Sequence, residues 1–251
     1  MYYLEFFDKM HKLLQPSTYL EIGIRNGGSL RLASCRAVGL DPAFNITAEI
    51  DGDIALIRTT SDEYFNRPDP LAPTGGKPFE MAFIDGLHLF EFAFRDFINT
   101  ERYSTPYSVI TFDDVLPRSV PEAARQRTAP GAWTGDVYPI LEVLREYRPE
   151  LSIILVDTQP TGLLLVMGLD PQNTILSDNY DEIVARHRHP DPQPVTEDLL
   201  DRLTVLPPER VLEAPFWEVL RTARQQQTAV HAQLAASLRA SLGPAYAQVP
   251  S

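Results

Sequence analysis

Short apolar runs recur along the first 170 residues, and most of them end in a glycine or a polar residue. The runs are TYLEIG (18–23), AVGLD (37–41), ALIRTTS (55–61), FEMAFID (79–85), YSVITFDD (107–114), LSIILVD (151–157) and LLLVMGL (163–169). Stretches suited to helices separate most of these runs, although the segment 42–53 is too irregular for a helix, and this alternation is typical of parallel strands joined by crossovers. The last two runs are joined by the short TQPTG, which only antiparallel strands permit. The sequence therefore predicts an α/β protein with a doubly wound, mostly parallel seven-stranded sheet that finishes in an antiparallel hairpin.

Segments with a helical pattern flank this predicted sheet. Residues 2–14 carry apolar side chains at helical spacing and Pro16 stops the pattern, which predicts an N-terminal helix. Beyond Pro171 the composition changes, and residues 215–242 indicate one long polar helix with an intermittent apolar stripe. We therefore predict a core with its N-terminal helix in residues 1–170 and a helical extension in residues 171–251. The extension would act as a lid or as a contact in a homo-oligomer.

Charge and composition limit the class of partner. The chain has 34 acidic and 22 basic residues and a net charge of −12, which would repel nucleic acid and an anionic membrane surface. No run of about 18 apolar residues predicts a membrane span. The single Cys35 cannot form an internal disulfide, and the first residues lack the pattern of a signal peptide. We expect a cytoplasmic protein that binds a small molecule rather than nucleic acid or a membrane.

A glycine turn follows the first predicted strand in the stretch YLEIGIRNGGSL. Glycines there allow positive φ and a close approach of the backbone to a ligand. The spacing of Glu21, Gly23, Gly27 and Ser29 differs from the G-x-G-x-x-G of nicotinamide cofactor proteins. The next strand ends in Asp41, where a carboxylate typically binds ribose hydroxyls. Glycine turns and polar strand ends also occur in α/β proteins without such a site, so the turn alone leaves a purely structural role open.

Three acids are predicted to meet at one edge of the sheet. Asp85 ends the fourth strand, and Asp113 and Asp114 end the fifth, so neighbouring strands bring them together. Crowded carboxylates repel unless a cation or shared protons compensate, and an oxygen-rich cluster suits Mg²⁺ or Mn²⁺. His88, three residues after Asp85, could accept the proton of a substrate hydroxyl. The alternatives are that the acids cap helices and that His88 is a packed, hydrogen-bonded histidine.

Two further stretches lie close to this cluster in sequence. Glu91 and Asp96 fall on the helix that follows His88, where a solvated face is the expected position. In GAWTGDVYPIL (131–141), Trp133 could stack on a sugar or another ring, and Asp136 could bind a hydroxyl or cap a helix that begins near Val137.

The ordered combination of these motifs resembles a known enzyme class. E-I-G-x-x-x-G-x-S followed by a strand that ends in aspartate is similar to the S-adenosyl-L-methionine-binding motifs of class I methyltransferases, which have a Rossmann-like fold. The resemblance implies cofactor-binding roles for the following residues: Gly23 and Gly27 beside the methionine part, Glu21 and Ser29 at the turn, Asp41 on the ribose, Ser61 and Asp62 at the adenine, and Asp85 at the edge of the cofactor site.

A second resemblance concerns the acids and His88. Metal-dependent O-methyltransferases of the catechol type are similar, but they have lysine at the position of His88 and asparagine at that of Asp114. I-D-G-x-H followed by a later D-D resembles the macrocin and sugar O-methyltransferase group. This resemblance implies methylation of a hydroxyl on a sugar or glycosylated metabolite, with Asp85, Asp113 and Asp114 holding Mg²⁺ (or Mn²⁺) and with Asp85 and His88 as catalytic residues. A metal-independent O- or N-methyltransferase and a non-catalytic nucleotide-binding protein remain the alternatives.

Overall fold

The computed structural model describes residues 1–127 and 130–246, and a seven-stranded sheet lies at its centre. The strands are β1 (Thr18–Ile22), β2 (Arg36–Leu40), β3 (Ile54–Ile57), β4 (Phe79–Ile84), β5 (Ser104–Phe112), β6 (Ser152–Val156) and β7 (Leu163–Met167). Their order across the sheet is β3-β2-β1-β4-β5-β7-β6. Strand β7 runs antiparallel to both β5 and β6, and the other pairs are parallel. The predicted fold class and the antiparallel hairpin are confirmed.

Ten α-helices occur in the described part of the chain. They are α1 (Tyr3–Leu14), α2 (Ser61–Phe65), α3 (Phe90–Arg102), α4 (Ile140–Tyr147), α5 (Ile175–Asp178), α6 (Tyr180–His187), α7 (Glu197–Leu200), α8 (Pro208–Leu212), α9 (Phe216–Gln226) and α10 (His231–Ser241). Short 3₁₀ turns occur at Leu30–Leu32, Ala72–Thr74, Val120–Ala123 and Pro244–Tyr246. No helix in this part of the chain is both long enough and apolar enough to cross a membrane.

The predicted single helix over residues 215–242 is wrong in one respect, because the structure divides it into α9 and α10. Gln227, directly after α9, has φ of 53°, in the left-handed region that ends a helix. The chain then turns, and α10 packs back on α9. Two short helices therefore replace one long one.

The sheet separates two hydrophobic clusters, because successive side chains of a strand point to opposite faces. Leu20, Ala82 and Ile110 pack on one face with α3 and α4. Tyr19, Met81 and Val109 pack on the other face with α1, α9 and α10. Both faces are covered, which explains the nearly continuous apolar runs of the central strands.

The C-terminal helices complete the second face. The connection from β1 to β2 contains only a 3₁₀ turn, and the connection from β2 to β3 contains no helix in the described chain. The Arg224 guanidinium on α9 donates to the carbonyl oxygens of Leu14 (2.9 Å) and Gln15 (2.7 Å) at the end of α1. The extension is thus packed into the core through α1, and its oligomer contact stays a prediction.

Candidate functional site

A cavity of about 560 Å³ opens at the carboxyl ends of the central strands. Gly23 follows β1, Asp41 follows β2, Asp85 follows β4 and Asp113 follows β5, and all four line it. The chain reverses the direction of its crossovers between β1 and β4, which is where open α/β sheets bind ligands. The volume lies within the range of small-molecule and cofactor sites. Among the described residues, none after Thr161 lines the cavity, so the structure gives no support to a C-terminal lid.

The glycine turn is shaped by the close approach of β1 and β4. Gly23 has φ of 91°, and a Cβ on it would lie 1.9 Å from the backbone oxygen of Asp85. The Asp85 backbone N–H donates to Ile22 O (2.8 Å), which fixes this approach. Glycine at position 23 is therefore required by the backbone that follows the neighbouring strand.

Glu21 and Ser29 lie beneath the turn rather than in the cavity wall. The Glu21 carboxyl is fully buried and accepts hydrogen bonds from the hydroxyls of Ser29 (2.7 Å) and Tyr19 (2.6 Å). Burial raises the pKa of Glu21 to about 8, although these two hydrogen bonds oppose the shift. Gly27 has φ of 82° and lies next to the Ile46 side chain, and it does not line the cavity either. These residues support the turn, and their direct contact with a cofactor stays a prediction.

Asp41 lies in the cavity wall beside the glycine turn. One carboxylate oxygen accepts from the Arg25 backbone N–H (2.9 Å) and the other from the Ala43 backbone N–H (2.6 Å). The two bonds fix the orientation of the carboxylate and leave lone pairs for a ligand hydroxyl. The contact of Asp41 with a ribose stays a prediction.

Ser61 and Asp62, predicted at the adenine, also line the cavity. The Asp62 carboxylate is bound at both oxygens by the Arg95 guanidinium (2.6 and 2.7 Å), so much of its hydrogen-bonding capacity is used. Asp96 on α3 lies in the same wall, is only 4% exposed, and has its pKa raised to about 7 by burial. The prediction of a solvated Asp96 is wrong. Its spacing from buried Ala93 and Thr100, three and four residues away, was a signal that it lies on the inner face of α3.

Asp85, His88 and Asp114 form a compact cluster in the cavity. The His88 Nε2 lies 3.5 Å from Asp85 Oδ1, and its Nδ1 lies 2.8 Å from Asp114 Oδ2. Burial alone would lower the pKa of His88, but the hydrogen bonds to Asp114 and Asp85 outweigh it and raise this pKa to about 11. Burial, with the nearby Asp114 charge, raises the pKa of Asp85 to about 6. The imidazole between two carboxylates is therefore cationic at neutral pH.

One ligand atom from each of Asp85, His88 and Asp114 lies within 4.8 Å of the others, a spacing at which they could share a metal ion. Asp113 lies outside this group of three: its Oδ1 accepts from the Asp114 backbone N–H (2.9 Å) and from the Thr161 hydroxyl (3.3 Å). Burial and the Asp114 and Asp85 charges raise the pKa of Asp113 well above its usual range. This crowding of carboxylates fits a divalent cation, and His88 supplies a positive charge at the same place.

Trp133 and Asp136 have partners that differ from the predicted ones. The Trp133 indole stacks on the His88 ring, with 4.8 Å between ring centroids and 6° between planes. Asp136 accepts from the Phe90 backbone N–H (3.1 Å) and so caps the start of α3, whereas the helix after it, α4, begins only at Ile140. The prediction that Asp136 caps its own following helix is wrong. Glu91, expected on a solvated face, instead pairs with the Arg125 guanidinium (2.6 Å).

One family model matches part of the chain. Residues 20–115 match the family described as a methyltransferase domain. No curated protein matches the chain.

Solved structures match at low identity. A Klebsiella pneumoniae protein whose structure is described as that of an O-methyltransferase by similarity is 17% identical over 67% of this chain and 80% of its own, with a TM-score of 0.50. The methyltransferase PaMTH1 of Podospora anserina, solved with SAH, is 13% identical over 67% of this chain and 78% of its own, also with a TM-score of 0.50. MycE, from the mycinamycin biosynthetic pathway and solved with Mg and SAH, is 20% identical over 68% of this chain and 49% of its own, but its TM-score of 0.43 supports no functional argument. The first two likenesses show that the fold is shared.

Proposed function

We propose that this chain, whose residues 20–115 match a methyltransferase-domain family, transfers the methyl group of S-adenosyl-L-methionine to a hydroxyl of a small molecule with the help of a divalent cation. One observation carries the proposal: the cluster of Asp85, His88 and Asp114 lies in the wall of the same cavity that Gly23 and Asp41 line. The residues predicted to bind the cofactor and those predicted to act as acid and base thus line one cavity. Methyl transfer requires that arrangement, because the acceptor oxygen must meet the methyl carbon in line.

The residues of the cluster have separate tasks in this reaction. Asp85 and Asp114 orient the acceptor hydroxyl, and His88 takes its proton as the oxygen attacks, which requires a neutral imidazole. A divalent cation, when bound at Asp85 and Asp114 with Asp113 beside it, would polarise the hydroxyl and offset the carboxylate charges that raise the pKa of His88. The sulfonium of the cofactor supplies the driving force, so the protein has to align and deprotonate the acceptor.

The mouth of the cavity supports a ring-shaped acceptor. Tyr2, Leu87 and Trp133 line it, and Tyr2 and Leu87 are among the exposed large apolar side chains. Rings with an apolar face and hydroxyl edges, such as sugars, can pack on such a surface while a hydroxyl reaches the acid cluster. We therefore propose a sugar or glycosylated metabolite as the acceptor and cytoplasmic catalysis, in which neither nucleic acid nor a membrane takes part.

A metal-independent methyltransferase is the second candidate. It is favoured by the position of His88, whose positive charge already lies between the carboxylates of Asp85 and Asp114. In that case the acids and His88 act directly on the acceptor, which could then be an amine.

Calorimetric titration of the chelator-treated protein separates these candidates. We expect saturable binding of S-adenosyl-L-methionine, and a separate Mg²⁺ or Mn²⁺ signal that is lost in Asp85→Asn and Asp114→Asn while cofactor affinity changes less than about threefold. Asp51→Asn, at an exposed acid, is the matched control and should bind both ligands as the wild type does. Cofactor binding without a metal signal would favour the metal-independent enzyme. Absence of cofactor binding would contradict the proposed function altogether.

The acceptor is then sought by measuring S-adenosylhomocysteine formation with sugars, glycosides, catechols and amines, each with Mg²⁺ and with chelator. Turnover of a hydroxylated sugar that requires Mg²⁺ and fails in Asp114→Asn would support the full proposal. Equal turnover with chelator would remove the cation from the mechanism.

A further inference from the structure

The His88 ring is fixed on its face as well as at its edges. The two carboxylates of Asp85 and Asp114 hold its nitrogens, and the Trp133 indole covers one face in a nearly parallel stack. The Trp133 backbone oxygen also lies 3.1 Å from His88 Nδ1. One residue thus contacts the imidazole both through its side chain and through its backbone. Such contacts determine the plane in which the ring can lie.

Trp133 belongs to a segment, residues 131–136, that is packed directly on the turn carrying His88; we name it the bracing loop. Gly135 has φ of 57°, and a Cβ there would lie 1.7 Å from the backbone oxygen of His88. Asp136 is fully buried and accepts a hydrogen bond (3.1 Å) from the backbone N–H of Phe90, which lies two residues after His88. The indole N–H of Trp133 donates to Ala124 O (2.7 Å). Independent contacts therefore hold the bracing loop against the His88 turn.

Arg125 joins the bracing loop to helix α3. Its guanidinium binds both carboxylate oxygens of Glu91 (2.6 and 3.0 Å), in the first turn of α3, and it also pairs with Asp136. A buried carboxylate such as Asp136 is costly without a partner, so this pairing is what allows Asp136 to cap α3 as an anion. The ion pairs connect Arg125, the bracing loop and the helix that follows His88 into one unit.

We propose that Trp133 is a positioning residue that fixes the plane of the His88 ring between Asp85 and Asp114, and that Arg125 and Asp136 hold Trp133 in place. The effect on the rate rests on the proposed role of His88. A ring that leaves this plane points its nitrogens away from the acceptor hydroxyl, and misplacement of a reacting group by about 1 Å can cost on the order of a hundredfold in rate. The packing of the bracing loop would thereby affect the rate of methyl transfer through the orientation of His88.

The test is the proton NMR spectrum of the five histidine rings, with the His88 signals assigned from a His88→Asn variant. Protons that face an indole are shielded, so the His88 ring signals should lie upfield in the wild type. We expect this shift to be lost in Trp133→Leu and largely kept in Trp133→Phe, which still stacks. Trp217→Phe is the matched control, because Trp217 also uses its indole N–H on a backbone carbonyl, Val211 O (2.9 Å), but lies among the C-terminal helices. It should leave the His88 signals unchanged.

A second variant tests the role of Arg125 with Trp133 intact. Arg125→Gln combined with Asp136→Asn removes both charges together, so that no unpaired charge stays buried, and the amide oxygen introduced at position 136 can still accept from the Phe90 backbone N–H. We expect the upfield shift of His88 to shrink in this double variant.

Rates are then compared with the acceptor found in the screen above. Trp133→Leu should lower kcat by about tenfold or more with little change in the acceptor KM, and Trp133→Phe should recover most of the loss. His88 signals that stay at their wild-type positions in Trp133→Leu would overturn the inference. So would a raised acceptor KM with an unmoved His88, because Trp133 would then be an acceptor contact. The NMR measurement needs no acceptor, so it tests the stack of Trp133 on His88 even if the proposed function fails, and the comparison of kcat and KM then tests the positioning role.

Discussion

At the scale of single residues, Gly23 shows how one position serves both the strand and the site. Two conditions act on it: positive φ, and a Cβ position only 1.9 Å from the backbone oxygen of Asp85. Gly75 shares the first condition, with φ of 68°, but a Cβ there would meet nothing within 4 Å. We expect Gly23→Ala to lower the free energy of unfolding by about 3 kcal/mol and Gly75→Ala by only about 1 kcal/mol. Urea unfolding of both variants measures the difference, which is the effect of the close approach. Equal losses would mean that backbone strain alone requires glycine at position 23.

The same residues explain which parts of the site a sequence can reveal. The positions of Asp41, Asp85, Asp113 and Asp114 were predictable, because parallel strands bring their carboxyl ends to one edge and each acid lies within two residues of a strand end. The contacts of Arg125 were not, since its partner Glu91 lies 34 residues away. Asp136 and Phe90 are separated by 46 residues. Such pairs depend on how loops fold over the sheet, which no local pattern encodes.

At the scale of secondary-structure elements, helices α9 and α10 replace the covering helices that the first two crossovers lack. Leu220 on α9 is 0% exposed within the cluster that includes α1. We expect Leu220→Ala to lower the free energy of unfolding of the whole chain by about 3 kcal/mol, in a single transition seen alike by circular dichroism and fluorescence. Leu203→Ala is the control, because Leu203 is 68% exposed and its truncation should change stability by less than about 0.5 kcal/mol. Two separate transitions would show that the C-terminal region folds as an independent appendage.

The sequence predicted the strands of the sheet better than it predicted the ends of the C-terminal helices. The apolar runs identified every strand of the sheet, and they are nearly continuous in β1 and β7, where every residue is buried. The end of α9 at Gln227 could not be predicted, because a glutamine does not by its type indicate the left-handed conformation that it adopts there. A helix pattern that continues across such a residue looks unbroken, and only packing of α10 back on α9 requires the turn.

At the scale of the whole molecule, the buried acids and the overall negative charge both lower the free energy of unfolding as the pH rises. Burial raises the pKa of Glu21 to about 8 and that of Asp96 to about 7. In the unfolded chain both acids ionise at about pH 4. Between that pH and the raised pKa values the folded state binds more protons than the unfolded chain, so the free energy of unfolding falls as the pH rises. The net charge of −12 adds self-repulsion. We therefore expect the free energy of unfolding to be about 3 to 4 kcal/mol greater at pH 6 than at pH 8.

Urea unfolding at pH 6, 7 and 8 measures this difference. Glu21→Gln keeps a side chain that can hydrogen-bond to Ser29 and Tyr19 but removes the titrating group, so its stability should depend less steeply on pH than that of the wild type. Repeating the series in about 0.5 M salt separates the two causes, because salt screens exposed charges much more than buried ones. The part that survives salt and disappears in Glu21→Gln belongs to the carboxyl beneath the glycine turn. A stability that is equal or greater at pH 8 would show that Glu21 is ionised in the folded protein, and the turn would then be supported by a charged carboxylate rather than by a neutral acid.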